Sequence, residues 1–165
     1  GEYTIFEWKP EDGTTITMEK AYLKQTEEGR QWWRVSWTEE KDTWIYEALL
    51  SPQEERLVRL RARDAEGNEG EVPVTEGTVY APPAKVSDES IEGASVGKET
   101  LTTPAGKFST NHVVFMGGGG TVEWWLSEEV PGGVVKYLAR EGDETFWTCV
   151  LAETGDGATT KLNSY

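Results

Sequence analysis

The sequence predicts a mainly β protein, an antiparallel and meander-rich sheet with little helix. Three observations carry this. Apolar and polar residues alternate with a period of two through most of the chain. Short runs of this kind recur between turns rich in Gly, Pro, Asp and Asn, giving roughly ten to twelve strands. Eight Trp, six Tyr and four Phe supply large side chains that favour strands, beside only two Met and one His.

The elements follow in order. Tyr3 to Trp8 reads as a first strand, ended by the turn Pro10 to Gly13. A long, half-polar run from Thr14 is broken at Glu27 to Gly29. "RQWWRVSW" then alternates, with Trp33, Val35 and Trp37 on one face and Trp32, Arg34 and Ser36 on the other. "TEEKD" turns the chain into "TWIYEALL". Ser51, Pro52 and Glu54 have the pattern of a helix start, so one helical turn is expected before a strand from about Arg56. In that strand Arg59, Arg61 and Arg63 alternate with Val58, Leu60 and Ala62, and "DAEGNEG" forms a hairpin loop.

From Tyr80 to Ala94 two prolines and small polar residues mark a long connection, read as a loop within a single domain over residues 1–165. Strands resume at "KETLTTP", "FSTNHVVFM", "TVEWWLS", "VVKYLARE" and "GDETFWTCVLAE". "VPGG" is a connection in which Pro131 and Gly132 take the two central turn positions.

The 165 residues suffice for one hydrophobic core. A net charge of -14 opposes binding to nucleic acid or to an anionic membrane surface. No apolar run approaches the length of a transmembrane helix. Cys149 is the single cysteine, which excludes an internal disulfide and a CxxC metal motif. The first residue, Gly1, reads as a trimmed or mature form with any targeting segment lying outside it.

Residues Ser95 to Tyr137, through "KETLTTPAGKFSTNHVVF" and "VEWWLSEEVPGGVVKY", resemble a group of uncharacterised bacterial exported proteins. Their folds are similar to the half-barrel of LolA-type lipoprotein carriers. The resemblance implies a strongly curved antiparallel sheet, a half-barrel or partly open barrel, with a concave apolar face. It also implies an exported, periplasmic or envelope-associated protein. The chain lacks the several helices that cover this face in such carriers, and the resemblance brings no catalytic residues with it.

Chemical motifs are sparse. "GASVGKET" fails as a phosphate loop, because three residues separate Gly93 and Gly97 and Glu99 follows Lys98. "DAEGNEGE" fails as an EF-hand loop, because Glu69 stands where glycine is needed. His112 has no second histidine to share a metal and reads as a half-buried, hydrogen-bonded side chain. Cys149 reads as a small core residue beside Trp147 and Leu151. The many carboxylates, Glu123 among them, assemble no nucleophile, base and orienter.

The expected function is therefore non-enzymatic, without catalytic residues, metal or cofactor. An apolar ligand such as a lipid, or a protein partner of the envelope, would meet the concave face through Trp33, Trp37, Trp124, Trp147 and Phe108. Trp125 falls on the other face and needs cover, so with Arg59 and Arg61 it forms a candidate interaction surface. The alternatives are a carbohydrate-binding module using exposed Trp and a structural or assembly component. The oligomeric state stays open.

Overall fold

The computed structural model describes residues 1–78 and 85–165. The chain divides into two compact units. The first holds residues 1–3, 18–84 and 155–165, and the second holds residues 4–17 and 85–154.

Eleven strands and one helix occur among the described residues. They are β1 (Tyr3–Pro10), β2 (Ile16–Gln25), β3 (Gln31–Glu39), β4 (Asp42–Ser51), β5 (Arg56–Arg63) and β6 (Glu69–Val72), then α1 (Asp88–Ala94). They continue with β7 (Ser95–Thr103), β8 (Gly106–Gly117), β9 (Gly120–Leu126), β10 (Val134–Glu141) and β11 (Glu144–Gly155). The strands lying mainly in the first unit run in the order β6-β5-β4-β3-β2. Those of the second run β1-β11-β10-β9-β8-β7.

The expected half-barrel is corrected by this order. A barrel needs its end strands to pair. In neither unit does the last strand return to the first. The fold is mainly β with little helix, but its sheet is open.

Turn chemistry fixes the registers. The β3–β4 hairpin pairs Glu39 with Asp42, so each cross-strand pair is set by counting back from that turn. Gly118 and Gly119 join β8 to β9 with φ of 61° and 84°, the left-handed pair that a two-residue hairpin prefers. Gly132 takes φ 80° after Pro131, and the Gly133 N–H donates to the Val130 carbonyl at 2.8 Å, as the sequence predicts.

Two local expectations need revision. Residues 52–55 form a turn rather than a helical turn, with Glu55 at φ 49°. The connection expected near residues 80–95 contains α1, while residues 80–84 lie outside the described residues. The Ser87 hydroxyl accepts from the Ser90 N–H, and Asp88 and Glu89 occupy the first turn, where the helix dipole favours acids.

Each unit has its own core. In the first, Ala21, Leu23, Trp32 and Leu49 pack together with Tyr3, Val58 and Ala158 against them. In the second, Phe108, Val130, Val135 and Leu151 pack with Phe6, Leu101 and Ala105. The first core is closed by the chain's last residues. Leu162 is fully buried there, although residues 156–165 form no strand.

Candidate functional site

Alternation gives β3 two unlike faces. Trp32, Arg34 and Ser36 are buried, while Trp33 and Trp37 are half-buried and Val35 is 42% exposed. The exposed face continues onto β4, because Trp37 lies opposite Trp44 and Val35 lies opposite Tyr46. The Trp37 ring stacks on Trp44 at 6.1 Å and on Tyr46 at 5.2 Å, with interplanar angles of 23° and 15°. Trp33 meets Tyr22 edge-on at 5.2 Å, donates its indole N–H to Gln31, and carries the Lys20 ammonium 5.2 Å from its ring centre. These rings form a half-exposed aromatic ribbon held by its own cross-strand contacts.

The other candidate residues lie in the second unit. Trp124 stacks on Tyr137 at 4.9 Å, and Trp147 meets Tyr137 edge-on at 5.2 Å. Phe108 is a core residue. Trp33 and Trp37 thus share one ribbon, while Trp124 and Trp147 gather around Tyr137.

Trp125 is only 6% exposed, and its cover comes from neighbouring strands. His112 on β8 stacks on it at 4.2 Å and 9°, and the Lys136 ammonium on β10 sits 4.8 Å from its ring centre. Glu99 on β7 accepts its indole N–H. The register makes this arrangement, since His112 and Lys136 are the residues paired with Trp125 on either side. His112 also contacts buried Glu123 at 2.9 Å, the hydrogen-bonded state its sequence context predicts.

The β10 and β9 strands stand between Cys149 on β11 and His112 on β8. At about 4.8 Å per strand step the two cannot act as a pair. Burial pushes the Cys149 thiol up, against a smaller opposing effect from its hydrogen bond with Tyr137. Burial, and then that same bond, raises the Tyr137 phenol.

The arginine strand is neutralised by its neighbours. Arg59 pairs with Glu71, Arg61 with Glu69 and Glu71, and Arg63 with Glu69. These acids sit on the paired strand β6. The same arginines donate to the chain's last residues. Arg59 reaches the Ser164 carbonyl at 3.4 Å, Arg61 the Leu162 carbonyl at 2.9 Å and Arg63 the Lys161 carbonyl at 2.6 Å.

Beneath that segment lies a buried charge network absent from the sequence-based candidates. Arg34 and Glu47 are 2% and 0% exposed and face each other across β3 and β4. Glu47 accepts from the Thr160 hydroxyl at 2.6 Å, the Lys161 N–H at 2.7 Å and the Ser164 hydroxyl at 2.5 Å. Arg34 donates to both carboxylate oxygens of Glu19, at 2.7 and 3.3 Å, and to the Thr159 carbonyl at 2.5 Å. Burial pushes the Glu19 carboxyl up, but hydrogen bonds and charge from Arg34 and Lys161 outweigh it and hold the group below its ordinary value. A pocket of about 340 Å³ opens here, lined in part by Glu19, Arg34, Asp156 and Lys161.

Among the described residues no group of three or more His, Cys, Asp or Glu could hold a metal ion. No helix among them is long and apolar enough to cross a membrane.

No protein-family model and no curated protein matches the chain. Among solved structures it is similar to a chain in the complex of Pseudomonas aeruginosa MucA/MucB, at TM-score 0.58 and 10% identity. The match covers 96% of this chain and 52% of that one. A chain of MucB in complex with MucA(peri) is similar at TM-score 0.46 and 12% identity, covering 96% of this chain and 51% of that one. This chain therefore spans about half the length of the MucA/MucB chains it matches. The likeness is one of fold. It corrects the resemblance to LolA-type carriers, because the match falls on the MucA/MucB chain and the strand order is open.

Proposed function

We propose that this is a non-enzymatic binding protein that holds a protein partner on the aromatic ribbon of its first unit. The observation that carries the proposal is the stack of Trp37, Trp44 and Tyr46 beside exposed Val35. Large aromatic side chains are enriched at the centres of protein interfaces, where they bury much area for few rotatable bonds. Rings already fixed against each other lose little further freedom on binding. The fold likeness to a chain of the MucA/MucB complex supports a protein as the partner.

A small apolar ligand fits less well. Such ligands need concave, mostly apolar walls. The pocket described above is instead lined by Glu19, Arg34 and Lys161. A carbohydrate platform also fits less well, because sugars stack on open ring faces and the Trp37 ring is stacked against Trp44 and Tyr46. An exported, envelope-associated location is part of the same proposal. The likeness to a Pseudomonas aeruginosa chain supports a bacterial setting for it.

The test is photo-crosslinking in cells that make the protein, with the reactive residue at Val35 and a control at Glu66 in the β5–β6 loop. One discrete adduct from position 35, absent from position 66 and lost on adding Trp44→Ala, is expected. Equal adducts from both positions, or none from position 35, would overturn the proposal. Cell fractionation tests the location, and a purely cytoplasmic protein would contradict it.

A further inference from the structure

We infer that the buried face of the first unit is a peptide-binding site, filled in this structure by the chain's own residues 159–164. The ligand class is an irregular, bent segment in which a leucine lies two residues after one hydroxyl side chain and two residues before another, set here by Thr160, Leu162 and Ser164. The inference does not depend on the aromatic ribbon. Trp33, Val35 and Trp37 point away from this face by strand alternation.

The hydrogen bonds have the form of recognition between a receptor and an irregular peptide. All three of the hydrogen bonds described for Glu47 come from that one segment, two from hydroxyls and one from a main-chain N–H. Arg34, Arg61 and Arg63 donate to three of its main-chain carbonyls. Main-chain groups are common to any sequence, so they give affinity, while the hydroxyl pair and the leucine give selectivity. The bonds to Glu47 and from the arginines are charge-assisted, and such bonds are the stronger kind.

Residues 156–165 form no strand, and β11 ends at Gly155. The pocket of about 340 Å³ lies where Asp156 to Thr159 cross Glu19 and Arg34, so the segment is not tightly packed at its start. A tethered segment competes at an effective concentration of about millimolar, and an external peptide must overcome that advantage. The site therefore opens to a partner whose segment matches the pattern and is present in excess or better placed.

The experiment uses the full chain and a fluorescein-labelled peptide of residues 158–165. The full chain carrying Leu162→Asp weakens the hold of its own segment, in which Leu162 is fully buried. Saturable binding of the peptide to this variant is expected. A scrambled peptide should not bind, and adding Glu47→Gln should weaken binding about tenfold or more. Should these variants fail to fold, the unaltered chain gives the second readout by hydrogen exchange. Millimolar peptide should speed exchange of the Lys161 amide while the β3 and β4 amides stay protected. Peptide binding that ignores the scramble, or Lys161 exchange that peptide leaves unchanged, would overturn the inference. A concentration-dependent dimer dissolved by the peptide would assign the site to a second copy of the chain and overturn its assignment to a separate partner.

Discussion

Arg34 and Glu47 face each other across β3 and β4, both out of water, with Arg34 Nη1 3.8 Å from Glu47 Oε1. Neither charge could sit there alone. Glu19 and the Thr159 carbonyl complete the arginine, and Thr160, Lys161 and Ser164 complete the glutamate. Removing one member of a buried ionic pair leaves the other uncompensated. Glu47→Ala is therefore expected to destabilise the chain by about 3–5 kcal/mol in urea unfolding. A loss below about 1 kcal/mol would mean that water reaches the pair.

The register behind this pair is legible in the sequence. A hairpin turning at Glu40 and Lys41 places residue 34 opposite residue 47. Strand alternation also gave the two faces of β3 and of β9 correctly as sets. It could not say which set is covered, because cover comes from distant residues. The fully buried Leu162 sits over one face of the first unit, and the cross-strand neighbours His112 and Lys136 flank Trp125. A face carrying Arg34 and Ser36 reads as solvated, and the Glu47, Glu19 and Thr159 partners are what make its burial affordable. Openness of the sheet was likewise beyond local pattern, since closure depends on whether end strands pair.

Acid should loosen the same network. The Glu19 carboxyl is held below its ordinary value of 4.5 in the folded chain. As pH falls the unfolded chain takes up its proton first, so the Glu19 contribution is full above the unfolded value. It is lost as pH falls through the lower, folded value. The urea midpoint is expected to drop as pH falls below about 5, and Glu19→Gln should show a smaller drop over the same interval. An equal drop in both proteins would assign the acid sensitivity to other carboxylates.

The adjacent residues Trp124 and Trp125 should behave differently. Trp125 is buried against His112 and Lys136, whereas Trp124 is half-buried against Tyr137. Trp125→Ala is expected to cost about 3–5 kcal/mol, the usual range for a buried tryptophan, and Trp124→Ala less. Equal losses in thermal or urea unfolding would contradict this assignment of faces.

Cys149 is fully buried and its thiol is raised by that burial. A thiol reagent should label the folded chain only at the rate of its unfolding, and the unfolded chain at once. Fast labelling in native buffer would show that β11 opens locally.

The aromatic ribbon should contribute to binding more than to folding. Stacked aromatic pairs couple by about 0.5–1.5 kcal/mol, so a double-mutant cycle on Trp37 and Trp44 should return a value in that range. Either single change to Ala should leave the fold intact.

The most direct measurement is a tryptophan oxidation footprint of the pure protein set beside one taken in the cells that make it. In the pure protein Trp37 and Trp44 should be oxidised while Trp32 and Trp125, both nearly buried, are spared. In cells Trp37 and Trp44 should become protected, with Trp124 unchanged, because a partner covers the ribbon. The same oxidation of Trp37 and Trp44 in both settings would contradict the proposal that this face holds a protein.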